Sequence, residues 1–245
     1  AASGVQAQAK GMAPQAKVNA YKWNDDIAEG AVAASNGMLI SNHSYGFDAT
    51  LIPDQWFGAY QEDAMWWDNI MANAPYFLMV KSAGNDGADN SSNTVPLLFG
   101  YDKLNGAATA KNNLVVAAAQ DAIVDSNGNL VSVDIMDFSS QGPTDDLRIK
   151  PDITGNGQDL FSTYESSDTM YGTISGTSMA APNVTGSLLL LQQHYNNLNG
   201  NFMRAATLKA LALHTADDTG PIGTDAIWGW GLLNAKKAAE TIAQN

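Results

Sequence analysis

Two runs of the chain, "YFLMVKSAG" (76–84) and "NLVVAAAQ" (113–120), are almost unbroken in apolar residues over the length of a strand. A strand with one wet face alternates polar and apolar residues. A strand without that alternation has to be covered on both faces, which points to a parallel sheet between helical layers. The neighbouring segments supply those layers. "DDIAEGAVAAS" (25–35) reads as a helix, with Asp26 and Glu29 at capping-box spacing and Asn36-Gly37 as its stop. "AKVNAYKW" (16–23) and "MLISNHS" (38–44) read as further strands, and "AIVDSNGNLVSV" (122–133) as a hairpin centred on Asn127-Gly128. The stretch from Met179 to about Tyr195 is apolar on nearly every side through "SLLLLQQ", so it is placed as a helix in the middle of the domain. Two shorter helices, around "MRAATLKALALHTA" and "LLNAKKAAETIAQ", finish the chain. This alternation predicts an α/β fold of three layers, a mostly parallel twisted sheet with helices on both faces.

No repeat, linker or low-complexity tract interrupts the pattern, so residues 1–245 read as one domain. Its one anomaly is a Trp-rich insertion, "LIPDQWFGAYQEDAMWWDNIMANAP" (51–75), whose second half has helical periodicity. Trp56, Trp66 and Trp67 either cover one rim of a cleft or fill core beneath a helix. Twelve basic residues against 25 acidic give a net charge of −13, a field that repels phosphates and anionic membrane surfaces. Neither nucleic acid nor a membrane is therefore expected as a partner, and no run approaches the ~18 apolar residues of a membrane span. Without cysteine there is no disulfide, thiol nucleophile or Cys-ligated zinc. "GNGQDL" and "GWGLLN" lack the third glycine of a dinucleotide loop, and "DSNGNL" lacks the Gly and Glu of a calcium loop. His43, His194 and His214 have no metal-ligand spacing, so no metal residue is named.

Chemistry concentrates in "ISGTSMAAPNVTG" (174–186). Ser178 falls where a turn enters the long helix, so its hydroxyl and backbone N–H sit at the positive helix end, where an oxyanion is stabilised. Gly176 lets the backbone approach a ligand. A plain N-cap serine explains the same pattern, and the block is not the lipase elbow, because Ala180 stands in place of its second glycine.

"GTISGTSMAAPNVTG" resembles the serine-nucleophile block of the subtilisin-like serine proteases. "VKSAGNDG" (80–87) resembles their oxyanion-asparagine block, and "FSSQGPTDDLRIKPDI" (138–153) is similar to their FSS-x-GP…KPD stretch. "GWGLLNAKKA" and "AKGMAPQAKV" are similar to the family's C-terminal helix and to the stretch after its histidine block. The resemblance runs in order along the whole chain. It implies a subtilisin-like fold and a secreted, bacterial serine endopeptidase acting through an acyl-enzyme. Ser178 would be the nucleophile. Asn85 would stabilise the oxyanion together with the Ser178 N–H, although Asn85 also suits a turn within Gly84-Asn85-Asp86-Gly87. Ser44, Tyr45 and Gly46 would pair with extended substrate, and Ser82, Ala83 and Gly84 would line the pocket for the residue before the cut.

The departure is equally specific. The family's histidine and aspartate blocks both precede the serine, and neither is matched here. "AASG" at positions 1–4 resembles the end of the helix that carries the histidine. The chain thus reads as the C-terminal portion of the catalytic domain, lacking N-terminal strands and inactive by itself. Its expected partners are a peptide or protein substrate, and the missing N-terminal segment or another chain filling the sheet. The rival reading is a pseudoprotease or cleaved remnant that only binds peptide or a partner chain; a carbohydrate-binding module explains none of the five blocks. The chemistry needs no cofactor. Structural calcium is frequent in the family, but its ligands are not identifiable in this sequence.

Overall fold

The computed structural model describes residues 6–93 and 101–244; the "AASG" opening lies outside them. The central sheet has four parallel strands in the order β1 (Ile40–His43), β2 (Leu78–Ser82), β3 (Leu114–Ala119), β6 (Ile153–Asn156). The two apolar runs became β2 and β3, and every residue of both is buried. The hairpin of β4 (Ile123–Val124) and β5 (Leu130–Ser132) forms as expected, and the Asp125 carboxylate accepts from the Asn127 and Asn129 N–H groups inside its turn. A second hairpin, β7 (Leu160–Thr163) with β8 (Tyr171–Ile174), was not anticipated.

Period-two alternation sends the two faces of the sheet into two cores. Leu78, Val80, Leu114, Val116 and Ile153 face α3 (Thr177–Asn199), which is backed by α4 (Ala205–His214) and α5 (Ala235–Gln244). Met79 faces the other way, toward Ala34 of α1 (Asp26–Ser35) and Trp67 and Met71 of α2 (Glu62–Asn73). The fold is thus the expected three-layer sandwich. The all-round apolarity of α3 has a physical cause: it is covered on a second side by the N-terminal segment. A Cβ at Gly186 would stand 2.9 Å from the Met12 Cβ.

Two local expectations fail. Residues 16–22 form no strand, and they are exposed, Val18 to 80%. Their alternation has no ladder to satisfy, because β1 pairs only with β2 among the described residues. Nor do Asp26 and Glu29 form a capping box. The helix is capped at Asp25 without a side-chain bond, and Asp26 Oδ2 accepts from the Tyr45 hydroxyl instead, at 2.6 Å. The insertion tryptophans divide between the two readings. Trp67 is core, 1% exposed, whereas Trp66 is 46% exposed and Trp56 packs edge-on to Phe47. Among the described residues no helix is long and apolar enough to cross a membrane.

Candidate active site

β8 ends at Ile174, and two residues later Gly176 takes the N-cap position of α3 with extended backbone. Ser178 is therefore the second residue of the helix and not its cap. The plain N-cap reading is overturned because the cap is supplied from outside. Asn85 Oδ1 accepts from the Thr177 N–H at 2.9 Å. The Ser178 N–H has no acceptor among the described residues, and it points from the end of the helix where partial positive charge gathers.

The Asn85 side chain is held in one orientation. Its Oδ1 also accepts from the Thr177 hydroxyl at 2.9 Å, and Thr177 Oγ1 in turn accepts from the Gly84 N–H at 3.2 Å. Two donors on Oδ1 fix which end of the amide is oxygen, leaving the NH2 group of this exposed residue to donate elsewhere. A Cβ on Gly176 would lie 3.7 Å from the Ser178 nitrogen and 3.8 Å from Asn85 Oδ1, so glycine keeps the space beside both groups clear. The 138–140 stretch braces the loop from below. Ser140 N–H donates to the Gly84 carbonyl, Ser140 Oγ accepts from the Asp86 N–H, and Gly87 N–H donates to the Phe138 carbonyl, all at 2.9–3.0 Å. Gly84 itself needs φ of +115°, with Ser140 Oγ only 2.8 Å from where a Cβ would be.

Ser44 reaches Ser178 for a reason written at Pro182. Proline has no N–H, so the Ser178 carbonyl four residues earlier lacks its intrahelical donor. The Ser44 hydroxyl donates to that carbonyl at 2.9 Å, and Ser178 Oγ donates to the Ser44 carbonyl at 3.4 Å. The structure thus gathers Ser178, Asn85 and Ser44, with Gly84 one residue away. Ser82 and Ala83 are each 3% exposed, and Ser82 Oγ is turned back to the His43 carbonyl, so these two offer backbone only. Tyr45 and Gly46 continue from Ser44, and the Tyr45 carbonyl accepts from Lys81 Nζ at 2.5 Å.

None of the three histidines bonds to Ser178 among the described residues. His43 is 8% exposed, with Nδ1 at 2.6 Å from the Tyr45 hydroxyl and Nε2 at 2.7 Å from Ser41 Oγ. Burial, and then the charge of Lys81, push its pKa down to about 3, so it stays neutral. His194 lies within α3 and His214 ends α4. Three contributors escaped the sequence reading: Thr177, Pro182 and Ser140. The first two stand inside the quoted serine block, which was the available signal.

A model of the subtilase family matches residues 1–231. The chain is 35% identical over 125 residues to a PII-type proteinase of Lactococcus lactis subsp. cremoris, covering 44% of this chain and 6% of the proteinase. It is 31% identical over 169 residues to subtilisin DY of Bacillus licheniformis, covering 69% of this chain and 49% of that protein. Among solved structures it resembles a lanthipeptide protease with a TM-score of 0.66 at 21% identity, over 94% of this chain and 69% of that one. The last likeness speaks to the fold alone. The chain spans half or less of the length of these two curated relatives.

Proposed function

The chain belongs to the subtilase family, and on that premise we propose that it carries the nucleophile and oxyanion site of a secreted serine endopeptidase. Ser178 Oγ attacks the scissile carbonyl and passes its proton to a histidine base. The carbonyl oxygen, now an oxyanion, takes one hydrogen bond from the Ser178 N–H and one from the Asn85 NH2 group. Collapse expels the amine, which leaves with the proton from the base, and water then hydrolyses the acyl-enzyme by the same route. Extended substrate lies beside Ser44, Tyr45 and Gly46, held mainly by backbone bonds. The observation that carries this reading is the Thr177 clamp. It turns Asn85 so that its free N–H groups and the unpaired Ser178 N–H remain available together.

The base and the aspartate that orients it belong, in this proposal, to a further strand and helix added at the open edge of β1. Two features support that placement: β1 has a single ladder partner, and residues 16–22 are extended and exposed beside no strand. Residues 1–245 by themselves would not turn over. A non-catalytic peptide binder is the second reading, favoured by the lack of any histidine or carboxylate bonded to Ser178 Oγ among the described residues.

Asn85→Leu in the full-length protein tests the assignment. Loss of one oxyanion donor lowers kcat about 10²–10³-fold with little change in KM, the range established for such a donor in subtilisin. An equal loss carried by KM would move Asn85 to ground-state binding. Failure of the parent protein to react with a serine-directed phosphonate would favour the binder.

A further inference from the structure

Beyond Ser44 the substrate-facing segment forms one wall of a cavity of about 150 Å³ on the α1/α2 side of the sheet. Its volume is roughly that of five waters, enough for one extended side chain of similar heavy-atom count. Tyr45 and Gly46 border it, with Trp23 at the rim, 66% exposed and edge-on to the Tyr45 ring at 6.2 Å. A Cβ on Gly46 would lie 3.6 Å from Asn105 Oδ1 and 3.7 Å from Lys81 Nζ, so the missing side chain leaves that space open.

The polar lining is lopsided. Asp26 and Asp63 both face the cavity, and neither has a cation within 4 Å among the described residues. Burial, and then the charge of Asp26, raise the pKa of Asp63, which is the mark of a carboxylate short of positive charge. Asn105 is 8% exposed, and its side-chain amide has no hydrogen-bond partner among the described residues. A buried amide facing an enclosed space with nothing to bond is a group awaiting a ligand. Lys81 is the one cation of the lining. It is 4% exposed, and its ammonium is spent on the Tyr45 and Ser82 carbonyls.

We propose that this cavity is a specificity site that takes a cationic side chain, lysine or arginine, of the peptide substrate. The Asp63 and Asp26 carboxylates and the Asn105 carbonyl would receive the charge, and Trp23 and Tyr45 would flank the stem. The site rests on the protease reading for its substrate class. Because Ser44 touches Ser178 while Gly46 borders the cavity, the residue accommodated lies about three or four positions ahead of the scissile bond, at the ~3.3 Å spacing of a strand. Carboxylates lined by aromatic faces favour a cation over a neutral chain of equal length.

A Ser178→Ala form of the full-length protein allows binding to be measured without turnover. Extended peptides carry lysine, norleucine or glutamate at one position, moved through the residues before the cut, and their Kd values are read by titration calorimetry. At one position lysine should bind about tenfold tighter than norleucine, and Asp63→Asn should shrink that ratio to about twofold while leaving the norleucine Kd unchanged. If Asp63→Asn does not fold, Asp26→Asn should shrink the same ratio. Equal binding of lysine and norleucine at every position, a preference for glutamate, or no binding of either peptide would overturn the assignment. Hydrolysis of the norleucine peptide by the unmodified protein decides the other question. A retained lysine preference without any turnover would sink the enzyme reading and leave the cavity assignment standing.

Discussion

His43→Gln separates a buried structural histidine from a displaced catalytic base. The Tyr45 hydroxyl donates its only proton to Asp26 Oδ2 at 2.6 Å, so His43 Nδ1 must donate to Tyr45, and Nε2 must accept from the Ser41 hydroxyl. A second ring proton would therefore require Ser41 to reverse its bond, in a site 8% exposed, edge-on to Trp67 at 4.7 Å and repelled by Lys81. These features carry the pKa from 6.5 to about 3. Between those values the unfolded chain holds a proton that the native state refuses, so native stability falls as pH falls through this window. From pH 6.5 to 4.5 the loss amounts to about 3 kcal/mol. Glutamine does not titrate there and should lack that part of the slope. The assay is urea unfolding followed by tryptophan fluorescence at pH 7, 5.5 and 4.5, for both forms. Parallel slopes, or an imidazole resonance titrating near pH 6.5, would refute the reasoning and reopen His43 as a base.

Asp152 is 6% exposed and accepts from Lys150 at 2.5 Å, Lys209 at 2.9 Å and the Val115 N–H at 2.7 Å. Asp152→Asn should cost about 3–5 kcal/mol in urea unfolding because it strands a buried ammonium. Lys150→Met should cost distinctly less, since Lys209 still pairs the carboxylate. Thr177→Val keeps the shape of the residue but removes one of the two donors on Asn85 Oδ1 and the acceptor of the Gly84 N–H. Steady-state kinetics of the full-length protein should show kcat down about tenfold at constant KM, the effect of one lost hydrogen bond on the position of the oxyanion donor.

The fold was legible where burial leaves a local signature. β2 and β3 could be read because both faces are covered, and α1 stops at Asn36-Gly37 because Gly37 takes a φ of +88°. The β7–β8 hairpin was missed because the seven residues joining its strands, "YESSDTM" apart from the last, contain no two-residue glycine turn. β6 is short, and it emerges from a stretch rich in glycine, proline and aspartate that reads as loop. The error at 16–23 has a different source. Val18 and Ala20 alternate with polar neighbours as a strand would, but alternation states only what a segment could present to a sheet. Whether a ladder lies beside it depends on residues elsewhere.

The site divides along the same line. That Ser178 sits at a helix entrance follows from its own neighbours, and so does the need for Gly176. Which group caps that helix does not, because the capping oxygen comes from Asn85, 92 residues away in the chain. Pro182 is the instructive case. Locally it reads as a cost, a proline inside a helix. In the folded chain the donor it withholds frees the Ser178 carbonyl for Ser44, 134 residues earlier, and so ties the substrate-facing segment to the helix that carries the nucleophile. A residue that weakens one helical bond therefore sets the distance between two parts of the site. Restoring an N–H with Pro182→Ala would give the helix back its own bond at the expense of that tie.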